Sequence, residues 1–286
     1  MNKKLMALYG LKWNPFSSDL PAEALLATTR VENFCWRIEQ ILVREGGFAL
    51  ITGEPGTGKS VTLRILAERL ANLPDLTVGA IHHPRGSVSS FYCELGFAFG
   101  VALKPHNRFG GFQALRERWQ AHIDTTLLRP ILIVDEAQEM NATLLSELRL
   151  LTSTRFDSRI ILTVVLAGDG RLVDRLGSEE LLPLGSRIRT RLAMEYASKE
   201  ELGACLKHLL HMAGNVKLMT SELMNTLCEH AMGNYRVLVN LGAELLAAAA
   251  QREIPTLDEK LYFEVFAVPR RQNQPAGSAR TTPRRR

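Results

Sequence analysis

Residues 53–60 read Gly53-Glu54-Pro55-Gly56-Thr57-Gly58-Lys59-Ser60. Two glycines separated by four residues and followed by Lys and Ser admit few structures. Before them stands a short apolar run, Phe48-Ala49-Leu50-Ile51, of a length suited to a buried strand. After them, residues 61–66 carry apolar side chains at helical spacing. Strand, glycine loop and helix together make a phosphate cradle. The glycines let the backbone turn its N–H groups inward. The helix that follows aims its positive end at the same anion. In such a cradle Lys59 reaches the β- and γ-phosphates of a nucleotide, and the Ser60 hydroxyl helps to hold Mg²⁺. Nucleotide contacts are expected along Gly53, Glu54, Pro55, Gly56, Thr57, Gly58, Lys59, Ser60 and Val61.

A second motif strengthens the first. Ile131-Leu132-Ile133-Val134-Asp135-Glu136 is an apolar strand with two carboxylates at its end. Two acids at the mouth of a buried strand are costly unless they face a cation or water. Asp135 is placed to bind Mg²⁺, partly through water, and Glu136 to polarise the water that attacks the γ-phosphate.

Around these motifs strands and helices alternate over residues 47–195. Strands are expected at 77–81, 131–134, 160–167 and up to 195, with helices at 87–100, 112–123 and 144–151. That alternation argues a parallel α/β sheet. A helix before it is expected from a capping box of Thr29 and Glu32 to Gly46-Gly47. Beyond residue 196 the pattern is all-helical, with capping boxes at Ser198/Glu201 and Thr256/Glu259 and breaks at Gly214 and Gly233-Asn234. Residues 1–46 are expected to pack on the core as a strap and first helix, 196–266 to form a helical lid, and 267–286 to be a disordered basic tail. The lead-in around Trp13 and Phe16 either straps the body or lines an adenine pocket; the sequence leaves both open.

Charge sharpens this division. The net charge is +5, but six arginines lie between Arg270 and Arg286 with no acid among them. Without them 35 Lys and Arg fall to 29, against 30 Asp and Glu, so the body is near neutral. No apolar run reaches the ~18 residues of a membrane helix, and residues 1–6 lack a signal-peptide pattern, so a cytoplasmic protein is expected. Cys35, Cys93, Cys205 and Cys228 are too scattered for a metal site and read as reduced core thiols. His82-His83 have no third ligand spaced nearby and read as loop residues.

Several stretches together resemble the AAA+ ATPases of the ExeA-like, origin-recognition-type group, closest in layout to the TnsC/TniB-like ATPases of transposons. They are Tyr9-Gly10-Leu11 with Asn14-Pro15-Phe16, the loop GEPGTGKS, Asp135-Glu136-Ala137-Gln138, Leu166-Ala167-Gly168-Asp169, Ser186-Arg187-Ile188 and Gly233-Asn234-Tyr235-Arg236. The resemblance covers residues 9–266 and implies a P-loop AAA+ parallel sheet core with a C-terminal all-helical lid. It implies ATP and Mg²⁺ at the joint between neighbouring subunits of a ring or filament.

Within that resemblance, Arg236 stands at the lid's sensor position. Its place in a first helical turn, where the dipole disfavours a cation, points the same way. Arg187 stands where the arginine that reaches into a neighbour's ATP is found, with Arg189 and Arg191 as alternatives. Asp169 departs from the neutral polar residue usual at the first sensor position. A carboxylate there repels phosphate unless it is protonated or turned to water or Mg²⁺, which puts the hydrolysis rate in question. The expected function is an ATP-driven switch that oligomerises, binds duplex DNA without strong sequence preference and recruits or regulates a transposase or recombinase. Lys104 and Arg108 are the expected ordered DNA contacts. The alternatives are an ExeA-type secretion ATPase without its membrane and wall-binding parts, and a nucleotide-gated scaffold of low turnover.

Overall fold

The structure, a computed structural model, describes residues 2–82, 84, 86–104 and 107–266. The expected basic tail and His83 lie outside the described residues. Five parallel strands form the central sheet: β1 (Gly47–Gly53), β2 (Val78–Ile81), β3 (Ile131–Val134), β6 (Thr163–Gly168) and β7 (Ile188–Met194). Their order is β2-β3-β6-β1-β7. A separate two-residue hairpin, β4 (Ser153–Thr154) with β5 (Arg159–Ile160), precedes β6.

Both faces of the sheet's centre are covered, so β3 and β6 are buried throughout and β1 nearly so, whereas the edge strand β7 alternates between buried and exposed residues. Phe48, Leu50, Leu132, Val134, Val164 and Leu166 face one way, into a core with α5 (Val88–Phe99), α6 (Arg108–Thr126) and α7 (Ala142–Leu151). Ala49, Ile51, Ile131, Ile133, Val165 and Ala167 face the other, against α2 (Thr29–Arg37) and α4 (Lys59–Ala71). A π-helical turn, Ile38–Leu42, joins α2 to the short α3 (Val43–Glu45). After β6 come α8 (Gly170–Leu176) and α9 (Leu182–Gly185). The lid is α10 (Lys199–Ala213), α11 (Ser221–Ala231), α12 (Tyr235–Gln251) and α13 (Glu259–Val265).

The lead-in packs elsewhere than expected. The helix α1 (Asn2–Tyr9) and residues Leu11 and Phe16 belong to the lid's core, beside Leu206, Leu210, Leu245 and Leu246. The Tyr9 hydroxyl donates to Ile254 O at 2.9 Å, Lys12 N to Ala213 O at 2.9 Å, and Asn215 Nδ2 to Tyr9 O at 2.8 Å. Residues 20–27 bridge the two, Leu20 and Ala24 packing with Leu209 of the lid and Leu25 and Ala27 on the α/β core, which α2 and its continuation also cover.

Two expected caps move by one or two residues. Helix α2 is capped by Thr28, whose side chain accepts from Val31 N, while Glu32 pairs with Arg69. Helix α13 is capped by Asp258, while the Glu259 carboxylate accepts from the Thr226 hydroxyl. In both cases a distant partner claims the Glu that a capping box would use. The third box, Ser198 with Glu201, is present as expected. Residues 160–167 are not one strand, because Ile160 pairs with Ser153 in the hairpin and the sheet strand begins at Thr163.

Candidate active site

All five strands are parallel, so their C-terminal ends share one edge of the sheet. Crevices for ligands form at that edge, where strand order reverses. Here β1 sits between β6 and β7, while the next strand in sequence, β2, is at the far side. The glycine loop leaves β1 at this switch point. Strand β6 separates β1 from β3, which places Asp169 between the loop and the Asp135/Glu136 pair.

The loop has the shape of a phosphate cradle. Gly56 and Gly58 have φ of +86° and +103°, a region open to glycine and strained for other residues. Lys59, only 9% exposed, donates through its ammonium to Gly53 O at 2.6 Å and Glu54 O at 3.1 Å. It therefore lies along the loop's inner side. Ser60 occupies the first turn of α4.

The lid is stapled to this loop through one asparagine. Asn234 Oδ1 caps α12, accepting from Arg236 N at 3.0 Å and Val237 N at 3.2 Å. Its Nδ2 donates to Pro55 O at 3.1 Å, and the next residue's amide, Tyr235 N, donates to Gly56 O at 3.0 Å. A Cβ on Gly56 would fall 2.0 Å from Asn234 Oδ1, so the contact requires glycine at that position. Arg236 is thereby fixed in the first turn of α12, facing the loop's cavity.

That cavity, of about 690 Å³, runs from the loop to the strap and is of the size of a nucleotide pocket. At one end lie Gly58, Lys59, Ser60, Glu136, Asp169 and Arg236; at the other, Phe16, Leu20, Leu25 and Val239. Phe16 is buried and also packs on the lid at Gly242, so the strap and the pocket wall are the same residues. Arg64 closes one side, donating to Ser18 O at 3.2 Å and Leu20 O at 2.5 Å.

Glu136 adopts a left-handed conformation, φ 51° and ψ 38°, which costs a non-glycine residue ~1–3 kcal/mol and recurs at functional sites. Its amide donates to Asp135 Oδ1 at 2.9 Å. Its carboxylate accepts from Gln138 Nε2, while Gln138 Oε1 accepts from Asp169 N at 3.3 Å. The largely buried Gln138 thus braces Glu136 against the end of β6. Asp169 caps α8, accepting from Arg171 N at 3.0 Å, and pairs with the Arg171 guanidinium at 2.7 Å. The hydrogen bond from Arg171 holds the Asp169 carboxyl below the ordinary carboxylate range, with the Lys59 charge adding to it. The Asp169 charge is balanced by Arg171.

The remaining sequence candidates lie away from this edge. Arg187 precedes β7, whose seven residues at ~3.3 Å each put it roughly 20 Å from the loop-side end of the strand. Met194, at that end, is the residue in contact with the loop at Gly53. Arg187 pairs with Asp157 at 2.6 Å, Arg189 with Glu45 at 2.6 Å, and Arg191 donates to Gly185 O at 3.1 Å. Lys104 is exposed. Arg108 starts α6 and is ion-paired with the buried Glu147, which also accepts from the Tyr92 hydroxyl at 3.0 Å. The four cysteines are free, and burial pushes the Cys35 and Cys205 thiols up to about 11. Among the described residues no group of His, Cys, Asp and Glu could hold a metal by itself, and no helix is long and apolar enough to cross a membrane.

The chain has a fold and a phosphate cradle similar to those of P-loop proteins of the AAA+ class. Within it, residues 43–176 match the AAA domain family. The chain is 29% identical over 249 residues to general secretion pathway protein A of Aeromonas hydrophila, covering 85% of this chain and 44% of that protein. It is 27% identical over 192 residues to the ATP-dependent target DNA activator B of Escherichia phage Mu, covering 65% of this chain and 57% of that protein. The chain therefore spans about half the length of either relative. Among solved structures, Drosophila ORC bound to DNA superposes with a TM-score of 0.68 at 17% identity, over 92% of this chain and 65% of that one.

Three contributors to the site were missed in the sequence: Asn234 as staple, Gln138 as brace and Arg64 as wall. Asn234 and Gln138 stand inside motifs that were singled out, so proximity to those motifs was the available signal. Arg64 had none.

Proposed function

We propose that this chain is an ATP-hydrolysing switch that assembles with ATP into a ring or filament, binds duplex DNA with little sequence preference, and recruits or regulates a transposase or other recombinase in the cytoplasm. Lys59 and the amides of the 53–60 loop bind the β- and γ-phosphates, Arg236 binds the γ-phosphate from the lid, and Phe16 lines the adenine end. Ser60 and Asp135 hold Mg²⁺, which when bound neutralises charge developing on the phosphate oxygens. Glu136 takes the proton of the attacking water. Gln138 holds that carboxylate in place, and Asp169, balanced by Arg171, limits the rate without preventing ATP binding.

Arg187 stands at the wrong end of the sheet to serve its own subunit's loop. A role in a neighbour's site is therefore the reading its position supports, with Arg189 and Arg191 as the alternatives. Lys104 contacts DNA phosphates; Arg108, the other candidate from the sequence, is instead held by the buried Glu147. The observation that carries the DNA reading is the similarity to the phage Mu target DNA activator. The similarity to general secretion pathway protein A is longer and slightly higher, and supports the second reading, a secretion-pathway ATPase. A low-turnover scaffold gated by nucleotide is the third, motivated by Asp169.

The test is retention of duplex DNA with and without a slowly hydrolysed ATP analogue across a salt series. The proposal expects ATP-strengthened binding whose log K falls by ~0.9 per phosphate contact with log salt. No retention of duplex DNA with ATP at low salt would leave the secretion or scaffold reading in its place.

A further inference from the structure

A second concavity, of about 480 Å³, lies away from the nucleotide cavity, between the start of α6 and the β4–β5 hairpin. Its lining combines the apolar Phe109, Phe112, Leu150 and Phe156 with polar and charged residues, among them Arg108, Arg116, Arg155 and Asp157. Phe109 is 75% exposed, and Phe156 is as exposed as in an open chain. The hairpin turn holds Arg155, Phe156 and Asp157 at φ of 51°, 54° and 66°, three consecutive non-glycine residues in the left-handed region. Strain of that kind persists where the surroundings impose it and clusters at ligand clamps. Here it presents an aromatic ring to water, which alone is unfavourable.

We propose that this groove docks an acidic peptide segment of a partner protein, one that inserts a large apolar side chain and sets a carboxylate against Arg155. Charge selects this occupant. Asp157, paired with Arg187 at 2.6 Å, is the one acid in the lining against three arginines, so the rim is cationic overall. Nucleic acid is the poorer fit, because phosphate tracking needs a row of free cations. Arg108 is committed to Glu147, and Arg116 donates to Ser153 O at 2.7 Å while stacking 4.8 Å from the Phe112 ring. Among the described residues Arg155 makes no ion pair, and it is left to receive the ligand. A pocket for one anchor and a single cation at its rim is the recognition pattern of a short peptide. The groove does not depend on the DNA reading; it serves any partner with such a segment.

The experiment selects binders to the full chain from a displayed library of random 12-residue peptides, then measures synthetic versions by fluorescence anisotropy. Selected peptides are expected to combine Asp or Glu with Phe, Trp or Leu. Phe156→Ser and Arg155→Glu, both exposed and outside the nucleotide site, should each weaken them at least tenfold while ATP turnover stays at the parent level. Failure of the library to enrich, or enriched peptides indifferent to both substitutions, overturns the proposal. So does displacement of the peptides by a 12-base single strand whose own binding is lost in the same variants, which makes the groove a nucleic-acid surface. A parent chain whose assembly state changes with Phe156→Ser, without enriched peptides, makes it a contact between copies and likewise overturns the proposal.

Discussion

The two ends of the central sheet differ in how they hold their charged groups. At the C-terminal edge, backbone and amide hydrogen bonds join residues far apart in sequence: Asn234 to Pro55, Tyr235 to Gly56, Gln138 to Asp169. Lys59 is buried and Glu136 is strained, so this end holds a fixed shape at some cost. At the N-terminal edge, Arg187 and Arg189 are held by ion pairs with half-exposed acids, Asp157 and Glu45. Such pairs contribute ~0–1 kcal/mol and exchange partners readily. One end is preformed to bind; the other holds arginines that a stronger anion can recruit. A site shared between copies, loop from one and arginine from the next, uses both properties.

Lys59→Ala tests the preformed end most severely. It removes a buried cation, and loss of one partner from a buried charged contact costs ~2–5 kcal/mol, so ATP affinity should fall about 10²-fold or more in a titration with labelled nucleotide. An unchanged affinity would separate the loop from nucleotide binding. Glu136→Gln should leave that affinity in place and lower turnover ~10²–10⁴-fold in a phosphate-release assay, because the amide cannot accept the proton. Asn234→Ala removes both a helix cap and the lid staple. It should cost ~1 kcal/mol in a denaturant titration and weaken ATP binding as well, whereas a cap alone would affect only stability.

The smallest effect belongs to the opposite end. The hydrogen bond from Arg187 holds the Asp157 carboxyl down from 3.8 to about 2. A depressed folded-state pKa contributes stability that is full above the ordinary value and is lost as pH falls through the depressed one. Asp157→Asn should therefore lower Tm slightly at pH 7, with the difference from the parent shrinking between pH 4 and pH 2. A difference that persisted at pH 2 would mean the aspartate acts through something other than its charge.

The phosphate cradle, the acid pair and the parallel core were legible in the sequence because each is local: a loop of eight residues, a strand with its two acids, alternating apolar runs. The lid's existence was legible from its caps and breaks. Its grip on the loop was not, since Asn234 and Pro55 are 179 positions apart and no periodicity reports such a contact. The strap's packing on the lid instead of the core escaped for the same reason, through Tyr9 and Ile254. Glu32 and Glu259 misled in the opposite sense. Their spacing suits a capping box, but Arg69 and Thr226 offer them tertiary partners.

The most direct test of a shared site is complementation. Arg187→Ala and Lys59→Ala chains are each expected to be nearly inactive alone, the first through loss of a transition-state cation that can contribute roughly 10³–10⁵ in rate. Mixed under conditions where co-assembly is shown by labelled subunits, they should regain turnover, because an intact loop on one copy meets an intact Arg187 on another. Co-assembled mixtures that stay as inactive as the separate chains would contradict the account.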